Sequence, residues 1–179
     1  MTSHLVIKNF LDDPDKWNNY ISGLLTQPEN NFALNLFWDK ALHEEGVSVP
    51  NPILIHLVPD SVRQELTHEI NLKLIERGID DLQVDNMIFH LMTNGSWINW
   101  HRDLREDREG AITVYLNTEW DIDRGGDFIY KTGCDQMQRL CPSFNTAMFI
   151  RGEVDHRTTP VIGHHLRKSL QVWLKKLDK

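Results

Sequence analysis

The sequence predicts a mainly β domain, a sandwich or barrel, with helices packed against one outer face. Three observations predict it. Helical patterning is confined to residues 1–80. Short β-rich runs separated by turn signals fill the remainder. Two of those runs alternate between aliphatic and polar side chains. The 179 residues suit one domain with a sizeable core. The expected division is residues 1–80 as helical support and 81–179 as the β core.

In chain order, "HLVIKNF" alternates loosely and reads as a strand. "DDPDKWNNYISGLL" opens on Asp and Pro and repeats Trp17, Tyr20, Ile21, Leu24 and Leu25, the pattern of an N-capped amphipathic helix. "NNFALNLFWDKALHEEG" has no regular period; it is expected as a packed surface segment or a lid. "SVPNPILIHLVP" holds three prolines and reads as loop and short extended pieces. "DSVRQELTHEINLKLIERG" is the clearest helix. Val62, Leu66, Ile70 and Leu74 recur every four residues, Asp60 or Ser61 can cap it, and Gly78 stops it. The strands "LQVDNMIFHLM", "AITVYLN", "DFIY", "TAMFI" and "LRKSLQVWL" follow, split by "TNG", "RGG", "TG", "RG" and "IGHH". Without helical crossovers they must pair mostly antiparallel.

The alternating runs fix two faces. Ile112, Val114 and Leu116 share one side of their strand, and Thr113, Tyr115 and Asn117 the other. Leu166, Lys168, Leu170, Val172 and Leu174 oppose Arg167, Ser169, Gln171 and Trp173. A polar face of this kind either meets water or lines a lumen with few, placed polar groups.

A net charge of −7 argues against a protein built to grip nucleic acid or anionic membranes. Cys134 and Cys141 form no C-x-x-C, which excludes a zinc ribbon or thioredoxin-type site. "MTSHLVIKNF" is too short and polar for a signal peptide, and no apolar run approaches a membrane span. A reducing cytoplasm and a monomer or homodimer are expected.

Chemistry enters with "INWHRDLRED". In an extended segment His101 and Asp103, at i and i+2, project from one face, where both can ligate one cation. In a helix they would diverge by about 200°. Among the other histidines, His4, His43, His56 and His68 fall in or beside the helices and loops, as structural or surface residues. His90, in an apolar strand, reads as a satisfied core or edge histidine. His156 follows "TAMFI" and a tight connection that returns the chain to the same end of a barrel; it is the preferred third ligand, with His165 the runner-up. Two imidazoles and a carboxylate on one side of an ion leave positions open, the arrangement suited to non-haem Fe(II) oxygen chemistry. Arg167, on the proposed lumen face, needs an anionic partner if buried, and a dicarboxylate would serve. Tyr115 and Ser169 stand beside it as hydrogen-bonding groups.

Together, "NGSWINWHRD", "AITVYLNTEWDIDRGGDFIY", "CPSFNTAMFIRGEVDHRTTPV" and "RKSLQVWL" resemble the 2-oxoglutarate- and Fe(II)-dependent oxygenases, in particular the prolyl-4-hydroxylase-like branch, from about Asn86 to Leu174. The resemblance implies a double-stranded β-helix, or jelly-roll, core with N-terminal helices on one sheet. It implies His101, Asp103 and His156 as Fe(II) ligands and as the catalytic centre. Arg167 would hold the distal carboxylate of 2-oxoglutarate, with Tyr115 and Ser169 as helpers. It further implies O₂, with ascorbate an optional addition, and release of succinate and CO₂ as a C–H bond becomes an alcohol. Related halogenases lack the carboxylate that Asp103 supplies, so its presence favours hydroxylation. Leu91 and Met92 stand near where many relatives carry tyrosine, and Arg167 stands where many prolyl 4-hydroxylases carry lysine.

The expected substrate is a peptidyl prolyl residue or a free amino acid, with Trp97, Trp100 and Trp120 either flanking it or packing the sheet. The alternative is a non-catalytic jelly-roll protein that binds a metal or small molecule. A zinc hydrolase is disfavoured because no H-E-x-x-H occurs.

Overall fold

The computed structural model describes residues 2–27, 31–34, 53–106, 108–133 and 136–177. Most of the proposed lid, residue 30 and residues 35–46, lies outside them, as do His43 and Cys134. Among the described residues ten strands and two α-helices follow in chain order: β1 (His4–Lys8), α1 (Pro14–Leu24), β2 (Ala33–Leu34), β3 (Ile53–Leu57), α2 (Asp60–Glu76), β4 (Leu82–Met92), β5 (Gly110–Tyr115), β6 (Phe128–Thr132), β7 (Gln136–Leu140), β8 (Thr146–Arg151), β9 (His156–Thr158) and β10 (Arg167–Lys176).

They form two antiparallel sheets. The larger runs β1-β8-β5-β10-β4-β3-β2 and the smaller β7-β6-β9. Residues 1–80, expected as helical support, therefore also supply three strands to the large sheet. "ILIHL", one of the short extended pieces expected between the prolines, pairs along its length with β4 (Ile53 opposite Met92, Leu57 opposite Ile88). Its β-branched and leucine side chains pack well on a pleat, and the prolines fall outside it.

The helices form where the periodicity places them. The Asp13 carboxylate accepts from Lys16 N at 3.0 Å, and Pro14 occupies the first turn. α2 departs from expectation at its start: Pro59 is the N-cap, no side chain caps the helix, and Asp60 already lies in the first turn. Its carboxylate there faces the positive end of the helix dipole. Past the other end, Gly78 takes φ +73°, and Ile79 N bonds Leu74 O at 3.0 Å.

Both helices pack on one face of the large sheet. Trp17, Ile21, Leu66, Ile70 and Leu74 meet Met87, Phe89, Leu91, Ile112, Val114, Phe149, Leu170 and Val172 in one buried cluster. Fully burying a single such side chain contributes about 1.5–3 kcal/mol. Lys168, on this aliphatic face as its alternation requires, ends between Asn18 Oδ1 (2.9 Å) and Ser22 Oγ (3.0 Å) of α1. Burial there lowers its pKa. The opposite face of the same strands is turned toward the small sheet, and the polar residues gather there.

Candidate active site

The H-x-D segment is not part of a regular strand. His101 forms a lone antiparallel bridge with His156, N to O at 3.0 Å in both directions. The stretches on either side are laced together. Ile98 N bonds Thr158 Oγ1 at 2.8 Å, Thr158 N bonds Ile98 O at 2.9 Å, and Val161 N bonds Ser96 O at 3.1 Å. The segment before His101 thus runs back along the segment after His156. That pairing sets the two imidazoles side by side, ring centroids 4.1 Å apart.

His101, Asp103 and His156 each offer a ligand atom, and those atoms all lie within 4.8 Å of one another. Asp103 and His156 are buried and His101 is half-buried. Each ring is oriented from behind. His101 Nδ1 lies 2.7 Å from Asn99 O, and His156 Nδ1 lies 2.9 Å from Val154 O. A carbonyl only accepts, so each Nδ1 carries the proton and each Nε2 turns a lone pair to the centre. Phe128 stacks on His156 at 5.1 Å.

His156 Nε2 stands 3.5 Å from Asp103 Oδ2. Two lone pairs at that separation repel unless something positive lies between them. A proton does not fill the role at neutral pH: burial, reinforced by the neighbouring His101, lowers the His156 pKa to about 4, with the Asp103 charge opposing. A neutral His156 imidazole facing a carboxylate, with a second imidazole beside it, fits a divalent cation. His165, the other candidate for third ligand, is exposed and packs edge-on against Trp120 at 6.4 Å.

A chamber of about 510 Å³, its open mouth included, leads inward from these three residues to Arg167. Its wall also includes Thr113, Thr158, Gln171 and Trp173, with Ile98, Ala111, Phe128 and Ile150 as the apolar part. Arg167 is only 2% exposed. Among the described residues it has no ion pair. Its Nη1 reaches only the Met92 thioether, at 3.0 Å, and Nε and Nη2 are buried without a hydrogen-bond partner. Asp155, the nearest acidic residue preceding it in sequence, is engaged instead by Arg102 at 2.8 Å and Lys131 at 3.8 Å. A buried guanidinium with a thioether for company is suited to an incoming anion.

Tyr115 and Ser169 are fully buried near that guanidinium and form no part of the chamber lining. The Arg167 guanidinium stands 4.9 Å from the Tyr115 ring centre. Ser169 Oγ has no hydrogen-bond partner, and Tyr115 Oη meets none in good geometry, a weak contact with the Arg167 guanidinium apart. Burial pushes the Tyr115 phenol up, and the arginine charge pulls it the other way. Room for Arg167 comes from "RGG": Gly126 has φ +67°, and a Cβ there would stand 2.8 Å from Arg167 Cδ. Trp100 and Trp120 do not line the chamber. Trp120 donates from Nε1 to Gly125 O at 2.9 Å, and Trp100 lies between Lys131 (5.4 Å) and Arg157 (5.1 Å).

The sequence reading missed His90, which lines the chamber, and the Thr113–Gln171 bond (Oγ1 to Oε1, 2.8 Å) across its wall. Alternation alone could have found both. Ile88, His90 and Met92 share a face of β4, and Thr113 and Gln171 were already on the polar faces of theirs.

Two antiparallel sheets enclosing a His–Asp–His cluster, with a buried cation deeper in, define a metal-dependent enzyme of the double-stranded β-helix class. A family model described as the 2OG-Fe(II) oxygenase superfamily matches residues 87–175, which contain every residue of the site. The chain belongs to the 2OG-Fe(II) oxygenase superfamily, and is thereby a dioxygenase that uses Fe(II), 2-oxoglutarate and O₂. Solved structures share its fold at low identity. A Pseudomonas putida prolyl-4-hydroxylase matches with TM-score 0.68 at 15% identity, over 98% of this chain and 94% of that one. A prolyl hydroxylase from Trichoplax adhaerens, in complex with a hypoxia-inducible-factor peptide fragment, gives 0.72 at 17%, over 97% and 83%. The epimerase SnoN from nogalamycin biosynthesis gives 0.70 at 13%, over 96% and 77%. No curated protein matches the chain. Among the described residues no helix is long and apolar enough to cross a membrane.

Proposed function

We propose that this dioxygenase hydroxylates a C–H bond of a peptidyl prolyl residue. His101, Asp103 and His156 hold the Fe(II), and Arg167, Tyr115 and Ser169 hold 2-oxoglutarate. The observation that carries the assignment of residues is the chamber itself: a cation-binding trio at one end, an unpaired buried guanidinium at the other. A dianion with a chelating end and a distal carboxylate has the two functional groups that these ends call for. Bound Fe(II) supplies the oxidising chemistry, in which 2-oxoglutarate becomes succinate and CO₂ and one oxygen atom enters the substrate.

The chain's own residues orient and exclude. The carbonyls of Asn99 and Val154 keep both imidazoles in the metal-binding tautomer. Arg167 neutralises the far carboxylate of the cosubstrate and fixes its depth. Ile98, Phe128, Ile150 and Trp173 keep water from the reacting region. The prolyl assignment draws support from the likeness to two prolyl hydroxylases with 94% and 83% of their chains covered.

The test is incubation of the protein with Fe(II), 2-oxoglutarate and air against a library of proline-containing peptides and free amino acids. Succinate is measured together with substrate mass. Gain of one oxygen atom on a prolyl peptide, lost in His101→Ala and Asp103→Ala, is the expected result. Gain on a free amino acid alone would replace the peptide substrate. Succinate formation unchanged in both variants would remove the assigned metal ligands.

A further inference from the structure

His90 is not the satisfied core histidine that its apolar strand suggests. Phe89 and Leu91 face the helices, so His90 faces the chamber, whose wall it lines. In the β4–β10 ladder it stands opposite Ser169, and in the β10–β5 ladder Ser169 stands opposite Tyr115. Three polar side chains therefore form one row across three adjacent strands. Arg167 lies two residues along β10 from the middle of that row, on the same face.

The row shares a second property. His90 is 6% exposed and its Nε2 is buried with no hydrogen-bond partner. Tyr115 Oη, Ser169 Oγ and two nitrogens of Arg167 are in the same condition. One orphaned buried polar atom costs about 1–3 kcal/mol, which makes a chance cluster of five on one face an expensive accident. A ligand in the chamber that bonds His90 and Arg167, which both line it, removes much of the cost. Burial, with the Arg167 charge adding to it, lowers the His90 pKa to about 3. At neutral pH the ring therefore brings a hydrogen bond to the anion site without a second positive charge.

We propose that His90 is a cosubstrate-binding residue: its imidazole donates a hydrogen bond from Nε2 to the distal carboxylate of 2-oxoglutarate, beside Arg167, and sharpens selection of a dicarboxylate over a monocarboxylate 2-oxo acid. This rests on the assignment of Arg167 to that carboxylate.

The experiment uses the whole chain loaded with Mn(II) in the absence of O₂, so that binding is read without turnover. Calorimetry compares 2-oxoglutarate with 2-oxobutyrate, which keeps the chelating end and lacks the distal carboxylate. His90→Phe should weaken 2-oxoglutarate about tenfold, the worth of one hydrogen bond to a charged group, and leave 2-oxobutyrate within about twofold. His90→Gln, which retains an N–H donor, should recover most of the loss. In the wild-type chain loaded with diamagnetic Zn(II), the ¹⁵N resonance of His90 Nε2 should move on adding 2-oxoglutarate and not on adding 2-oxobutyrate. A His90→Phe protein that binds 2-oxoglutarate as tightly as wild type, or loses both acids equally, overturns the proposal. So does an Nε2 resonance indifferent to 2-oxoglutarate, a measurement that needs no variant to fold. If Arg167→Leu keeps the wild-type preference for the dicarboxylate, the assignment of the pocket fails instead, independently of His90.

Discussion

The two faces of the large sheet are built from the same strands and obey opposite rules. Toward the helices, β4, β5, β8 and β10 present Met87, Phe89, Leu91, Ile112, Val114, Phe149, Leu170 and Val172, every one buried among its own kind. Toward the small sheet, the intervening positions present His90, Thr113, Tyr115, Arg167, Ser169 and Gln171. There, Arg167 and the His90–Ser169–Tyr115 row carry buried polar atoms with nothing to bond. Period-two alternation lets one backbone carry both. The helix-side face stabilises the fold, and part of that stabilisation offsets the unsatisfied groups opposite.

This division predicts contrasting responses to substitution. The largest effect on stability belongs to the helix-side face. Phe149→Ala should cost about 3–5 kcal/mol in urea unfolding, because a wholly buried ring leaves a cavity that two packed helices cannot close. On the other face, Arg167→Leu should leave the metal-free protein as stable as wild type or more stable by about 1–4 kcal/mol, since it removes a buried charge that has no anionic partner. The same variant should bind 2-oxoglutarate far more weakly in calorimetry. Should Arg167→Leu destabilise the apo protein as much as Phe149→Ala does, the chamber face is structural core and the comparison breaks.

Much of this contrast was legible in the sequence, and the reason is alternation. "AITVYLN" and "LRKSLQVWL" declare their faces residue by residue, and the structure places Ile112, Val114, Leu170 and Val172 against the helices as read. α1 and α2 were legible through period and caps, although Pro59 displaces Asp60 and Ser61 as the N-cap. The convergence of His101, Asp103 and His156 was harder to read. It depends on the pairing of residues 96–101 with residues 156–161, segments far apart in sequence, which no local pattern encodes. β7 and β9 were missed for a related reason: "QMQRL" is exposed except at its end, and three residues carry too little pattern for a strand. His90 was misread because its neighbours Phe89 and Leu91 made the strand look uniformly apolar. The polar partners that give it meaning, Ser169 and Tyr115, lie on other strands.

A smaller effect sharpens the comparison by titration. His90 sits at a pKa of about 3 in the folded chain, against an ordinary histidine value near 6.5. Below pH 6.5 the unfolded chain takes up a proton that the folded chain refuses. The stability linked to His90 is therefore full above pH 6.5 and is lost as pH falls toward 3. Urea unfolding of the metal-free protein at pH 7 and pH 5 should show His90→Gln losing up to about 2 kcal/mol less than wild type. His156, shifted in the same direction, contributes equally to both proteins. An identical loss in the two would mean that the imidazole meets water, and the polar face would not be the dry chamber described.

The smallest effect belongs to neither face. Arg151, at the end of β8, reaches Asp81, just ahead of β4, with two hydrogen bonds of 2.7 and 2.9 Å. The hydrogen bond from Arg151 holds the Asp81 carboxyl below the usual aspartate range, with burial opposing and the arginine charge adding to the fall. The pair's stabilisation is accordingly present above the unfolded aspartate value near pH 4 and fades as pH falls through the lower folded one. The Asp81 side chain is 38% exposed, so solvent screens the pair despite its geometry. Asp81→Asn should cost less than about 1 kcal/mol at pH 7, less again in 1 M salt, and nothing once the pH is below both aspartate values. Thermal unfolding at two salt concentrations decides it. A loss as large as that of Phe149→Ala would mean that the rim, rather than the apolar face, holds the end of β8 to the start of β4.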